Sequence, residues 1–198
     1  MRIRKGLLVL AAVSLPIASV TMLEGTAFAK KVTGAGSTTC NVSGTITFNP
    51  PLTKAGSTSI KKEVTTVSSS LIGCTGGTPQ PSGSIPLTVK PIKTKTSPKG
   101  SAGGTCGGFA TNAGAVKVSA KISWPGEKPS KFTVTGLHVA INGMGEAGFT
   151  ASAPVSGSYG GSGSLAVYLT QADSTAIATC SGSISTVHFD STQSTTTL

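Results

Sequence analysis

The sequence predicts an all-β domain, an antiparallel β-sandwich or barrel that is Ig-like in general architecture. We expect about nine strands and one short helix near the C-terminus. Short segments in which apolar residues alternate with Ser and Thr end at Gly, Pro or Asn, as strands do when one face is buried. Lys and Arg number 16 and Asp and Glu 6 in 198 residues, which is too few for a helical bundle or a coiled coil.

The clearest strand covers residues 116–124, where every second residue from Val116 to Trp124 is apolar. Residues 40–48 alternate in the same way and stop at an Asn-Pro-Pro turn. Both patterns predict one buried face and one face in water. Weaker alternation marks residues 64–71, 84–89, 149–155 and 165–169.

The alternation changes phase within residues 131–141. Phe132 and Val134 share one face of the predicted strand, whereas Leu137, Val139 and Ile141 share the other. A β-bulge inserts one extra residue into a strand, so the residues after it turn to the opposite face. Leu137, Val139 and Ile141 would then face the same side as Phe132 and Val134. We therefore expect a bulge near Gly136 that places both sets in the core.

One segment near the end lacks β alternation and is typical of a short helix. Asp173 can cap a first turn, Ile177 lies about one turn before Cys180, and Gly182 suits a left-handed residue after a helix. The sequence therefore predicts a helix near residues 173–181.

The N-terminus has the three parts of a secretory signal peptide. Basic residues precede an apolar stretch at residues 7–20, and Ala27 and Ala29 supply the small side chains of a cleavage site. We expect residues 1–29 to be removed and residues 30–198 to form one secreted β domain, in the medium or at the cell envelope. No later stretch is apolar and long enough to span a membrane, so we expect no transmembrane segment after cleavage.

The four cysteines of the secreted part, Cys40, Cys74, Cys106 and Cys180, predict two disulfides. Four cysteines allow three pairings. The chain reads as two halves, each with a cysteine ahead of an alternating strand and a second cysteine at its close, which favours 40–74 and 106–180. No pair has C-x-x-C spacing and no His lies near a Cys, so we expect no metal and no cofactor.

Three segments carry a resemblance: Gly-Thr-Ile-Thr-Phe-Asn-Pro-Pro-Leu-Thr at 44–53, Leu-Ile-Gly-Cys-Thr-Gly at 71–76 and Cys-Ser-Gly-Ser-Ile at 180–184. With these motifs the chain resembles a group of secreted all-β proteins common in actinobacteria, most of them hypothetical proteins. The resemblance implies export and an all-β fold. Its motifs are structural, so it carries over no catalytic residue.

No motif predicts catalysis, and we expect the protein not to be an enzyme. Residues 143–148 match G-x-G-x-x-G, but a strand and Pro154 follow where dinucleotide binding needs a helix. His138 and His188 are expected on the solvent face, and nothing in the sequence brings them to Asp190 as a metal or acid–base cluster. Glu127 lies beside Lys128 in a Pro-Gly turn, where we expect a solvated charge.

Basic charge is the main functional signal. Residues 30–198 contain 13 Lys and no Arg, and Lys cannot make the planar two-pronged contacts by which Arg reads bases, so specific nucleic-acid binding is not expected. The candidate polymer-binding residues are Lys54, Lys61, Lys62, Lys90, Lys93, Lys95 and Lys99. The leading prediction is a non-catalytic exported protein, either structural or weakly binding an anionic cell-wall polymer. Equally, these lysines can serve only solubility and the protection of edge strands.

Two other functions stay open. One is an extracellular carrier of a small apolar ligand, and the weakest is a secreted hydrolase. A cavity lined by Trp124, Phe132 and Phe149 would favour the carrier, although the parity of Trp124 predicts that it lies in the core. A flat lysine face would favour the polymer binder, and convergence of the two histidines with Asp190 would favour the hydrolase. The oligomeric state is not predicted.

Overall fold

The computed structural model describes residues 31–56, 62–95, 104–111, 114 and 116–198. The predicted signal peptide lies outside these residues. Within them, the strands are β1 (Ala35–Leu52), β2 (Lys62–Thr78), β3 (Ile85–Val89), β4 (Ile92–Lys95), β5 (Lys117–Ile122), β6 (Ser130–Thr135), β7 (His138–Ile141), β8 (Ala147–Ser156), β9 (Gly161–Tyr168), β10 (Ile184–His188) and β11 (Thr195–Thr197). The helices are α1 (Cys106–Thr111) and α2 (Gln171–Thr179). The all-β prediction is confirmed, with more strands than the expected nine.

Eight antiparallel strands close into a barrel. The order is β1-β11-β9-β8-β6-β5-β3-β2, and β2 returns to β1. The closing contact with β11 is short, from Thr39 opposite Thr197 to Asn41 opposite Thr195. The sequence left a sandwich or a barrel open, and the Ig-like sandwich is not what forms. The physical reason is that β1 pairs with β2 along one edge and with β11 along the other, so the eight strands form one closed wall and not two stacked sheets.

The alternation of β1 places its apolar side chains inside this barrel. Cys40, Val42, Ile46 and Phe48 are buried, and the residues between them are more exposed. Gly44 shares the inward parity, and a side chain there would collide with the backbone of β2. Glycine therefore allows the two long strands to lie close together at this point.

Three strands extend the barrel. β10 pairs with the second half of β1, β4 with the start of β2, and β7 with β8. The expected bulge near Gly136 is instead a break between β6 and β7, with Gly136 at φ +81°. Because β7 pairs only with the start of β8 and lies outside the barrel, Val139 and Ile141 are 50% and 72% exposed. The prediction that both belong to the core was wrong.

The described residues contain two helices where the sequence predicts one. α2 covers most of the predicted helical segment, and two further strands follow it, so it does not lie at the C-terminal end. Its N-cap is Thr170, whose side chain accepts from the amide of Asp173. Within the described ranges, no helix is long and apolar enough to cross a membrane.

Both disulfides have the predicted pairing. Cys40–Cys74 joins the neighbouring strands β1 and β2, and Cys106–Cys180 joins α1 to the end of α2. Trp124 is 2% exposed and its Nε1 donates to Ser130 Oγ at 2.6 Å, which confirms its predicted place in the core.

Candidate functional site

The barrel encloses an apolar cavity of about 150 Å³. Inward-facing side chains from six of the strands form its walls: Val42, Val67, Leu87, Val118, Phe149 and Val167. An eight-stranded barrel has an interior just wide enough to be filled by side chains or to hold one small ligand. Here much of the wall is Val, whose short side chain leaves space at the centre.

Helix α1 lies at one end of the cavity. Phe109 of α1 lines the cavity and packs edge-to-face against Phe48 and Phe149, with ring centroids 5.1 Å apart in both pairs. Such edge-to-face pairs are favourable beyond the area they bury. The aromatic cluster therefore seals this part of the cavity wall.

Several contacts hold α1 in place. The amide of Thr53 donates to the Gly104 carbonyl at 2.8 Å, and the amide of Cys106 donates to the Thr53 carbonyl at 3.3 Å. Thr105 Oγ1 accepts from the Gly108 amide at 2.8 Å in the first turn. With the disulfide to Cys180, these contacts attach a short glycine-rich segment to the barrel.

Few polar groups reach the cavity. Of the described lining residues only Glu63 is charged, and its Oε2 accepts from the Gly104 amide at 2.9 Å. Ser69 Oγ donates to the Leu87 carbonyl at 3.2 Å, so this hydroxyl is satisfied within the wall. The cavity is thus an apolar chamber with one carboxylate beside α1.

Of the three aromatic residues that would favour a carrier if they lined a cavity, one does so. Phe149 lines the cavity, but Trp124 and Phe132 do not. Trp124 instead packs edge-to-face on Tyr159, with ring centroids 4.8 Å apart. Glu63 and Phe109 were missed. In β2, Glu63 has the same parity as Thr65, Val67, Ser69 and Leu71. This pattern is too weak to mark Glu63 as a cavity residue before the barrel is known. Phe109 lies in a glycine-rich segment whose sequence has no periodicity.

The candidate histidine cluster does not form. His138 is exposed on β7, whereas His188 Nδ1 lies 3.1 Å from Asp173 Oδ2. The pKa of Asp190 is below its usual value. The larger cause is the Thr192 hydroxyl, which donates to the carboxylate at 2.6 Å, and the next is the Thr192 amide, which donates at 2.8 Å. No group of three metal-ligating side chains occurs among the described residues.

Glu127 is not the solvated loop charge that the sequence predicts. It is 5% exposed, and Tyr159 donates to its Oε1 at 2.8 Å. Burial is the main cause that raises the pKa of Tyr159 above its ordinary value, and the hydrogen bond with Glu127 raises it further. The Pro-Gly turn folds this carboxyl inward against Tyr159, which no local pattern shows.

The glycine motif of residues 143–148 belongs to the turn between β7 and β8. Asn142 Oδ1 accepts from the amides of Met144 and Glu146 at 3.0 and 2.9 Å. Asn142 Nδ2 in turn donates to Glu146 Oε2 at 2.6 Å. The motif is therefore a glycine turn between strands, as interpreted from the sequence.

The described candidate polymer-binding lysines lie on β2, on β4 and just after β1 and β3. Lys54, Lys90 and Lys93 are exposed on three different segments. The backbone register places Lys62 opposite Lys95, and Lys61 and Lys99 lie outside the described residues.

A different lysine face forms on the outside of β5 and β6. Lys121 lies directly opposite Lys131, and Lys117 is exposed on the same strand as Lys121. We call Lys117, Lys121 and Lys131 the lysine face. In the sequence, Lys117 and Lys121 occupy polar positions of the alternating segment 116–124. Only the pairing of β5 with β6 brings Lys131 beside them.

Comparisons of the chain with protein-family profiles, with curated proteins and with solved structures find no match.

Proposed function

We propose that the barrel binds one small apolar ligand in its central cavity. The observation that carries this proposal is a chamber with nearly all-apolar walls inside a closed barrel, next to a helix attached by a disulfide. Ligand sites are concave and mostly apolar, with a few polar groups that orient the ligand. The proposal makes the protein a carrier and assigns it no catalytic residue.

The size of the cavity limits the ligand. An apolar cavity of about 150 Å³ stays dry and accepts benzene in another protein. The present cavity has the same volume and is lined on several sides by Val, Leu and Phe. The ligand is therefore about the size of one aromatic ring, with any further atoms directed towards α1.

Benzene itself tests the proposal. Titration of the secreted chain with benzene, followed by amide chemical shifts, is expected to shift residues of the cavity wall such as Val67, Val118 and Val167. The variant Val118→Phe adds a ring to the cavity and is expected to abolish these shifts. Val139→Phe makes the same change at a residue that is 50% exposed and outside the cavity, and is expected to leave them intact.

Two results would contradict the proposal. One is the absence of benzene-induced shifts in the wild-type wall. The other is binding that persists unchanged in Val118→Phe while thermal denaturation shows that variant to be folded.

We also propose that the protein acts outside the cytoplasm. Its two disulfides persist in oxidising compartments and are rare elsewhere. N-terminal sequencing of protein from the culture medium is expected to begin at Lys30. A protein that keeps Met1 and stays inside the cell would contradict this proposal.

A second candidate function is weak binding of an anionic cell-wall polymer, for which the lysine face is the specific observation. Lys121 and Lys131 are directly opposite each other, and like charges so placed are destabilising unless an anion compensates them. The strands β3, β5 and β6 contain no acidic residue. Retention on immobilised polyphosphate that falls as salt rises would support this function, and retention unchanged in high salt would oppose it.

A further inference from the structure

The carboxylate of Glu63 is the unusual feature of an otherwise apolar cavity. Glu63 lies near the start of β2, half-buried, and it is the only charged side chain among the described residues that line the cavity. Its Oε2 accepts one hydrogen bond, from the Gly104 amide. Among the described residues Oε1 has no hydrogen-bond or ion-pair partner.

The Glu63 carboxylate has acceptor capacity that the described chain leaves unused. Two carboxylate oxygens can accept about four hydrogen bonds, and Glu63 receives one from the described chain. Placing a charge away from water costs free energy unless a counter-charge or several donors compensate it. Oε1 can therefore accept from a further donor, and a cation is the donor that best matches its charge.

The neighbouring strand supplies no cation at this position. In the ladder between β2 and β4, Glu63 lies opposite Thr94, whereas Lys93 lies opposite Val64. Cross-strand neighbours share a face of the sheet, so Lys93 is on the face opposite to that of Glu63. Lys93 is exposed there.

The attachment of α1 explains only part of this arrangement. Accepting a hydrogen bond from the Gly104 amide requires one oxygen and no charge, and the amide of a glutamine would do it equally well. The two buried glutamates, Glu127 and Glu146, bind Tyr159 and Asn142 and do not line the cavity. The hydrogen bond that Glu63 makes with α1 thus does not require its negative charge.

We infer that the ligand of the cavity is an apolar amine, whose hydrocarbon part fills the chamber between β2, β5 and β9 and whose ammonium group binds Glu63 Oε1 beside α1. This inference rests on the proposed function, because it names the chemical class of the ligand for the same cavity. A protonated amine offers charge-assisted hydrogen bonds, which are shorter and stronger than those of a neutral donor.

Benzylamine and benzyl alcohol are the probes for this inference. They have nearly the same shape, and benzylamine is positively charged at neutral pH whereas benzyl alcohol is neutral. Calorimetric titration of the secreted chain is expected to show benzylamine binding about tenfold more tightly than benzyl alcohol at low salt.

The variant Glu63→Gln removes the charge and keeps an oxygen for the Gly104 amide. It is expected to lower the affinity for benzylamine about tenfold and to leave that for benzyl alcohol unchanged. Amide hydrogen exchange of α1 checks that the helix stays attached in this variant. If the variant does not fold, the comparison of the two probes on the wild-type chain decides alone.

The outcomes separate this inference from the proposed function. Equal binding of the two probes to the wild-type chain, or tighter binding of the alcohol, overturns the amine inference and leaves the apolar cavity site standing. Benzylamine binding that is unaffected by Glu63→Gln also overturns the inference. If neither probe nor benzene binds, the proposed function fails and the inference fails with it.

Discussion

Tyr159 and Glu127 form a buried polar pair that, with Pro79, links three segments. Tyr159 is fully buried, and its hydroxyl lies 2.8 Å from Glu127 Oε1 and 2.5 Å from the Pro79 carbonyl. Glu127 Oε2 is buried without a partner among the described residues. Loss of the tyrosine hydroxyl would leave the carboxyl without its hydrogen bond, and buried unsatisfied groups are costly.

We therefore expect Tyr159→Phe to lower the free energy of unfolding by about 1–3 kcal/mol. Tyr168→Phe is the matched control, because the Tyr168 side chain is half-buried and its hydroxyl makes no hydrogen bond with described residues. That control is expected to change stability by less than about 0.5 kcal/mol. Urea denaturation of both variants measures the difference, and equal effects would contradict the role given to the pair.

The raised pKa of Tyr159 makes the stability of the fold depend on pH. An unfolded tyrosine loses its proton near pH 10, about its ordinary pKa, whereas the buried hydroxyl keeps its proton to higher pH. The stabilisation is thus complete below about pH 10 and is lost as pH rises further. We expect the difference in unfolding free energy between wild type and Tyr159→Phe to shrink above this pH, and a constant difference would oppose the argument.

At the scale of elements, the two disulfides both close long loops, but they join different kinds of element. Cys40–Cys74 joins strands that are already paired on both sides of it, at an irregularity of the ladder between Thr39 and Asn41. Cys106–Cys180 attaches α1, and with it Phe109, to α2. The second bond therefore helps to hold α1 and Phe109 beside the cavity.

We expect Cys106→Ser with Cys180→Ser to speed hydrogen exchange of the α1 amides and to accelerate benzene entry. The loop-entropy model sets the loss of stability at about 4 kcal/mol or less. The matched variant, Cys40→Ser with Cys74→Ser, is expected to lose a similar free energy without selective exposure of α1. Hydrogen exchange resolved by residue distinguishes the two, and faster α1 exchange in both variants would contradict the assignment.

At the scale of the whole molecule, charge is unevenly distributed. The lysine face lies on strands without acidic residues, whereas Glu63, Glu127 and Glu146 face the cavity or the core. Anionic polymer would therefore meet a surface with positive charge alone on β5 and β6. Strand β4 likewise has two Lys and no acidic residue, so the lysine face and the lysines that the sequence favours are both candidate surfaces.

Substitutions in the lysine face and in the lysines that the sequence favours can be compared for their effect on polymer binding. We expect Lys121→Gln with Lys131→Gln to weaken retention on polyphosphate about tenfold at low salt. The control, Lys54→Gln with Lys93→Gln, removes the same net charge from exposed sites elsewhere and is expected to have a smaller effect. Equal losses would mean that net charge alone governs binding, and the lysine face would then have no special role.

The sequence by itself determined the features that depend on local periodicity. Alternation identified the strands around Val42 and Val118 and the core position of Trp124. The lack of β alternation identified α2, although its N-cap is Thr170 and not the predicted Asp173. The cysteine order predicted both disulfides. These features can be predicted because each depends on neighbours within a few residues, or on the order of four cysteines.

Only the tertiary structure decided the closure of the barrel and everything that closure encloses. Thr39 meets Thr197 across nearly the whole length of the chain, and no local pattern specifies such a pairing. The exposure of Val139 and the burial of Glu127 likewise depend on which strands lie beside them. Glu63 becomes a candidate ligand-binding residue for the same reason, because a cavity exists only after eight distant strands have formed one closed wall.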